Sequence, residues 1–438
     1  MKPSIKRALA SASDTRALEI GQNILDRVPQ LFVSQFKGKK AVVVCDLTTY
    51  KVAGEKVQEY LEKEGLAYGE PFIYNENRPY AEFGNVELLE NALKLHAAIP
   101  VAVGSGSIND MTKLAAARTN RPYMCVATAA SMDGYTAFGA SITFEGAKQT
   151  FSCPAPQVVL ADIEVIRNAP AEMTAAGYAD LFAKVTAGAD WIISDALGVE
   201  AIDATAWSIV QDELKEALAD PEGAKAGKVE AITPLIEGLI LGGFAMQWAK
   251  SSRPASGAEH QFSHLWNMEH HVHNGETPSH GFQVGVATLA VTRFYEQLLQ
   301  FPVAELDAAA CAEQWPEWPE LQKCAEEKFS DTDFLDTAIN QSKDKHLSKE
   351  ELKIQIEKLQ AVWPQLKENL QKQLVPSEEV KQRLDAVGAP VESQQIGIST
   401  ERLKEAYVRA QFIRSRFTVL DLALRIGQLS SFLNKMFA

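Results

Sequence analysis

Along the first 165 residues, apolar positions fall in short runs separated by stretches of amphipathic helical spacing. The runs are Lys40–Cys45 (KAVVVC), Glu70–Tyr74, Ile99–Val103 (IPVAV), Tyr123–Ala127 and Val158–Ala161. Helical stretches such as Val52–Lys63 and Val86–Ala97 lie between the first four. Short β-rich runs alternating with helices predict a mainly parallel, doubly wound sheet. Ala140–Phe144 and Lys148–Phe151, joined through Glu145-Gly146-Ala147, predict a hairpin beside it. From Pro170 onward the period changes to that of helices, with Ala171–Ser194, Pro234–Ala249, Lys349–Gln373 and Thr400–Asn434 as the clearest segments.

This places an α/β nucleotide-binding domain at 1–165 and an all-α domain at 166–438, with the boundary near Ile166. Within the second, 301–397 is rich in Glu, Lys and Gln and punctuated by Trp315-Pro316, Trp318-Pro319 and Trp363-Pro364. It is expected to form a peripheral helical subdomain. The apolar stretch Ile232–Trp248 is interrupted by Pro234, Glu237 and glycines and reads as a buried helix rather than a membrane span.

Composition narrows the function. A formal charge of −14 argues against nucleic acid and anionic membranes as partners, since binding to phosphate polymers relies on basic patches. A small phosphorylated substrate needs only one local positive pocket and stays open. The N-terminal stretch has no continuous apolar region of the signal-peptide kind. The five cysteines are scattered and never in a CxxC pair, so reduced thiols in a cytoplasmic protein are expected.

Three signals carry candidate chemistry. In VAVGSGSINDMTK, Val101–Lys113, a strand meets a glycine turn and then a helix. Backbone N–H groups at such a helix start can hold a phosphate. The turn is not GxGxxG, and glycine turns of this kind are common without any ligand. Second, six of the eight histidines lie between 260 and 280. His260 and His264 are four apart and share a helix face, while His270, His271 and His273 read as solvated surface residues. Third, Asp180 sits among small apolar residues, where an acid is out of place unless paired or metal-bound. Lys184, one turn later, offers the plain alternative of a surface ion pair. One carboxylate and two imidazoles would suit Zn²⁺, Ni²⁺ or Fe²⁺ with a position open for a substrate oxygen.

Five segments in order resemble the sn-glycerol-1-phosphate dehydrogenases, within the superfamily of iron-containing alcohol dehydrogenases, glycerol dehydrogenase and dehydroquinate synthase. They are the glycine turn with Asp110 and Lys113, ATAASMDG (127–134), AAGYADLFAK (175–184), SSRPASGAEHQFSH (251–264) and SHGFQVG (279–285). A weaker echo lies in Ala410–Leu422. The resemblance implies a dehydroquinate-synthase-like fold: an α/β domain followed by an α-helical metal domain, with the active site in the cleft between them. It puts the metal ligands on Asp180, His260 and His280, and His264 in the catalytic pocket; His264 is the candidate proton relay, and Lys184 is counted among the catalytic residues. It puts dinucleotide contacts on Asp46, Gly104, Gly106, Ser107, Asp110, Lys113, Thr128 and Ser131, and a substrate hydroxyl on Asp133. The departures are GSGS for the usual GGGS, Ala127 for a proline, and HGF for HGE.

The implied activity is interconversion of sn-glycerol 1-phosphate and dihydroxyacetone phosphate by hydride transfer. One divalent metal is expected, zinc first, with nickel or iron as alternatives. NAD(H) is the expected cofactor, with NADP(H) also compatible, because Asp46 directly follows KAVVVC, where a carboxylate can bond the adenosine ribose diol and repel a 2′-phosphate. Arg253, seven residues before His260, is expected to read the substrate phosphate bidentately. A homo-oligomer is expected. The rival readings are a dehydroquinate-synthase-like lyase, disfavoured by Asp rather than Glu at 180, a polyol dehydrogenase acting on free glycerol, and a catalytically silent metal-bound interaction protein docking through 301–397.

Overall fold

The computed structural model describes residues 2–145 and 147–438, so Gly146 of the expected hairpin turn lies outside the described residues. Eight strands are found among them: β1 (Ala17–Gly21), β2 (Ala41–Asp46), β3 (Phe72–Tyr74), β4 (Ile99–Gly104), β5 (Met124–Ala127), β6 (Ala140–Phe144), β7 (Ala147–Phe151) and β8 (Val158–Asp162). Six of these form a wholly parallel sheet in the order β1-β8-β5-β4-β2-β3. β6 and β7 pair antiparallel as a separate hairpin. Every residue of β2, β4, β5 and β8 is buried, which is why these strands read as unbroken apolar runs. β1 has no such run. Its sequence ALEIG acquires strand character by pairing with β8, far along the chain.

The sheet reverses its order at β2, which leads to β3 on one side and lies against β4 on the other. Ligands of open α/β sheets bind outside the carboxyl ends of the strands at such a switch point. Asp46 and Gly104 end those two neighbouring strands.

Two compact units emerge. One takes in the chain up to Leu181 together with Thr205–Ser252 and Ala386–Gly388; the other consists of Phe182–Ala204, Arg253–Asp385 and Ala389–Ala438. The chain thus passes between units more than once, where the sequence reading places a single boundary near 166. The first unit includes the apolar helix Val229–Ala249, which is long and apolar enough to cross a membrane by composition but is mostly buried. Its Gln247 accepts from Asp14 N–H (2.8 Å) and donates to the Thr136 carbonyl (2.9 Å).

In the second unit the segment 301–397 does not form a core of its own. Trp315, Phe329, Leu352 and Trp363 join one hydrophobic cluster with Phe262, Phe294 and Tyr407. Two long helices expected from periodicity are divided. Ala171–Ser194 becomes Ala171–Phe182 and Lys184–Leu197. Thr400–Asn434 becomes Thr400–Arg409, Val419–Arg425 and Leu429–Met436. In the latter, Thr418 and Asp421 form a capping box that starts a new helix, and Gly427 at φ +69° stops it.

Candidate metal and nucleotide site

The carboxyl edge of the sheet gathers the residues expected to meet a dinucleotide. Asp46 is 6% exposed and caps the next helical turn, accepting Thr48 N–H (2.8 Å) and Thr49 N–H (2.7 Å) through Oδ1. Gly104 cannot be replaced: a Cβ there would stand 2.5 Å from that of Ile108. Helix Gly106–Arg118 begins at once after the turn, so the amides of Gly106 and Ser107 belong to its open first turn. Thr128 donates its N–H to the Gly104 carbonyl (3.2 Å), which holds the β4 and β5 ends together. Ser131 follows in the same loop and is partly exposed.

Two residues of this set have other work. Asp110 accepts the Ser141 N–H of β6 at 3.1 Å and lies 3.4 Å from Lys113 Nζ. Lys113 is 1% exposed and donates to the carbonyls of Gly134 (3.0 Å), Ala137 (3.0 Å) and Gly139 (2.9 Å). The Lys113 ammonium, expected at the cofactor, here organises the 134–139 loop through these three main-chain oxygens.

The loop that Lys113 shapes carries Asp133. It is gripped from two further helices by glycines that permit backbone contact. A Cβ on Gly177 would fall 2.0 Å from the Ala130 carbonyl oxygen, and one on Gly243 would fall 2.7 Å from that of Asp133. Helix Ala171–Phe182 can therefore lie directly on the loop, and Asp180 accepts the Asp133 N–H at 3.1 Å. Asp180 and Lys184 are both fully buried, which rules out the surface ion pair offered as the plain alternative.

Asp180, His260 and His280 each present one ligand atom, and these atoms lie within 4.8 Å of one another. His260 is on helix Ala258–Met268, and His280 begins helix His280–Gln300. Their ring centroids are 5.2 Å apart, and the His264 ring lies 6.4 Å from that of His260. Of the three histidines read as solvated, His271 proves to be buried. It bonds the Ile396 carbonyl through Nε2 (2.6 Å) and Arg402 through Nδ1 (2.7 Å), and burial pushes its pKa down.

Arg253 begins the short helical turn Arg253–Ala255. It is 2% exposed, its terminal nitrogens donate to the carbonyls of Phe417 (3.1 Å) and Asp190 (3.0 Å), and Nε lies 3.2 Å from Glu200. Burial lowers its pKa, and Glu200 partly offsets this. Both terminal nitrogens of the guanidinium are thus engaged by main-chain carbonyls.

Sequence reasoning missed three residues. Glu259 is fully buried and bonds His260 Nδ1 at 2.8 Å. Burial pushes its pKa up, but the bonds from His260, Thr186 and Gly257 N–H outweigh this and hold it below the usual carboxylate range. Asp190 is pushed up to about 7, by burial first and by Glu259 next. Both acids sit in apolar helices, the signal that singled out Asp180. The third is Lys148 on β7, exposed along much of its length; desolvation lowers its pKa while Asp110 and then Asp180 draw it up.

The donor set fits a divalent metal of the zinc, nickel or iron kind: one carboxylate, and two imidazoles of which His260 has its Nδ1 engaged and so keeps Nε2 for a ligand role. The glycine turn fits a dinucleotide phosphate on the same grounds of chemistry and space.

The chain has relatives among known proteins. The iron-containing alcohol dehydrogenase family is matched over residues 19–170. The chain is 33% identical over 313 residues to glycerol-1-phosphate dehydrogenase (NAD(P)+) of Bacillus licheniformis, covering 70% of this chain and 78% of that one. It is 34% identical over 275 residues to the enzyme of the same name from Pyrococcus abyssi, covering 63% and 77%. Among solved structures, glycerol dehydrogenase from Schizosaccharomyces pombe superimposes with a TM-score of 0.62 at 17% identity, covering 97% of this chain and 91% of that one.

Proposed function

Because the chain belongs to the glycerol-1-phosphate dehydrogenase family, we propose that it interconverts sn-glycerol 1-phosphate and dihydroxyacetone phosphate with NAD(H) or NADP(H). The observation that carries this reading is the convergence of Asp180, His260 and His280 within 4.8 Å, in a chain whose glycine turn ends β4. When bound, the metal would polarise the C2 carbonyl and the nicotinamide would supply the hydride. The chain's own residues bind, orient and move the proton. Asp180, His260 and His280 would hold the metal. His264, whose imidazole can both donate and accept a proton, is the proton relay to the C2 oxygen, and Asp133 contacts a substrate hydroxyl. Lys184 remains our candidate for a further polar contact in this pocket.

With both terminal nitrogens of Arg253 bonded to carbonyls, we propose Lys148, an exposed cation on β7, as the residue that meets the phosphate. Lys148→Ala should raise KM for dihydroxyacetone phosphate about tenfold and leave the weak rate on free dihydroxyacetone unchanged. Equal losses on both ketones would remove Lys148 from the phosphate contact.

The reading as a whole is tested by a panel of ketones under NADH and NADPH oxidation, with metal content measured on the same sample. The expected result is dihydroxyacetone phosphate as best substrate and one divalent metal per chain. His260→Ala should lose the metal and roughly two orders of magnitude in kcat. A preference for free dihydroxyacetone, or full turnover without metal, would overturn the assignment.

A further inference from the structure

His260 and His280 meet different neighbours at Nδ1. His280 Nδ1 lies 3.4 Å from Ser263 Oγ. His260 instead meets a fully buried carboxylate at 2.8 Å. That carboxylate, Glu259, is itself fixed at both oxygens. Oε1 accepts the Gly257 N–H at 2.6 Å and Oε2 accepts the Thr186 hydroxyl at 2.7 Å. Thr186 is fully buried on helix Lys184–Leu197.

The same helical turn is pinned a second time. Asp190 accepts Ala258 N–H at 2.7 Å, Val419 N–H at 2.8 Å and the Tyr295 hydroxyl at 2.5 Å. Gly257 has to be glycine here, since a Cβ would stand 2.5 Å from Asp190 Oδ2 and 2.9 Å from Glu259 Oε2. The first turn of the His260 helix is thus held by two buried acids, both bonded to its leading amides.

We propose that Glu259 is a positioning residue, which fixes His260 as the Nδ1–H tautomer and thereby aims Nε2 at the metal, with Thr186 holding Glu259 in register. The chemistry is direct. Oε1 already takes the Gly257 N–H and so acts as an acceptor; the imidazole nitrogen facing it must carry the proton, and the other nitrogen keeps its lone pair. Outer carboxylates of this kind orient ligand imidazoles and raise their basicity, and losing one weakens metal binding 10–100-fold. The inference rests on the reading of Asp180, His260 and His280 as metal ligands, but its first part concerns a proton position that exists without any metal.

The test uses the full chain labelled with ¹⁵N-histidine, metal-free, with His260→Ala to identify the His260 signals. The wild type should show a protonated Nδ1 and an unprotonated Nε2 at His260. In Glu259→Gln, whose amide can donate as well as accept, the tautomers should mix or reverse. Co²⁺ titration, read by its visible absorption, should then give one site in wild type and none in His260→Ala. Affinity should be about 10–100-fold weaker in Glu259→Gln, with a smaller loss in Thr186→Val. A wild-type proton on Nε2, or Co²⁺ affinity unchanged in Glu259→Gln, would overturn the inference. Absence of Co²⁺ binding in wild type, with the tautomer as expected, would instead overturn the metal reading. Should Glu259→Gln fail to fold, Thr186→Val carries the same two readouts, and an unchanged tautomer with unchanged affinity there would remove Thr186 from the proposal.

Discussion

At the scale of single residues, what a buried polar group is bonded to separates a ligand-facing role from a scaffold role. Lys113 and Asp46 both lie in the sheet-edge pattern, yet their surroundings differ. Lys113 gives its ammonium to three carbonyls. Lys113→Met should strand them and cost about 3 kcal/mol, at roughly 1 kcal/mol per lost bond, read by urea denaturation. No change in the midpoint would mean that the 134–139 loop is held by other contacts. Asp46 uses Oδ1 for its cap. Serine caps a helix about equally well, so Asp46→Ser should leave stability within about 1 kcal/mol while shifting preference from NAD(H) toward NADP(H). A wild type that already prefers NADP(H) in kcat/KM would place the ribose elsewhere. The proposed ligand group of Asp180, His260 and His280 drew notice because an acid among small apolar residues and a cluster of histidines are both anomalies. The carbonyls bonded to Arg253 and Lys113 were not legible, because sequence shows a cation's charge but not the main chain around it. Glu259 was missed although AEH carries the same anomaly as AAGYAD.

At the scale of elements, glycine contacts set how closely helices approach the Asp133 loop. Gly177→Ala would drive a methyl group against the Ala130 carbonyl, 2.0 Å from the added carbon, and must push helix Ala171–Phe182 off the loop. We expect a loss of about 2–3 kcal/mol and weaker metal binding, because Asp180 leaves the Asp133 N–H. Gly84→Ala is the control. Nothing lies within 4 Å of a Cβ there, on helix Phe83–Lys94, so stability should rise by roughly 0.5–1 kcal/mol. Equal effects of the two substitutions in thermal melts and metal titration would refute the close-approach argument. Central strands were legible because parallel strands covered on both faces are apolar throughout. Edge strand β1 was not, since ALEIG is short and carries Glu19, and its partner β8 is distant in sequence. The divided helices escaped notice for a related reason: periodicity persists across a break when both halves bury residues in the same core, as Tyr407, Phe417, Leu422 and Phe432 do.

At the scale of the whole molecule, charge and substrate are opposed. The chain carries −14 at neutral pH, and a phosphate monoester is close to a dianion there. The long-range field therefore repels the proposed substrate, and any attraction must come from a short-range pocket. The Debye length falls from about 30 Å at 0.01 M salt to about 8 Å at 0.15 M, so added salt removes the repulsion before it reaches contacts inside a pocket. With NADH saturating, kcat/KM for dihydroxyacetone phosphate should rise about twofold between 10 and 150 mM NaCl, while the value for uncharged dihydroxyacetone stays flat. Free dihydroxyacetone separates salt effects on the charge of the ketone from salt effects on the fold, because both substrates meet the same protein. A fall in kcat/KM for the phosphorylated ketone would mean that a local cationic field, of the kind proposed around Lys148, outweighs the global charge during approach. Lys148→Ala should then abolish that fall. A parallel response of the two ketones would instead place the salt effect on the protein and remove substrate charge from the account.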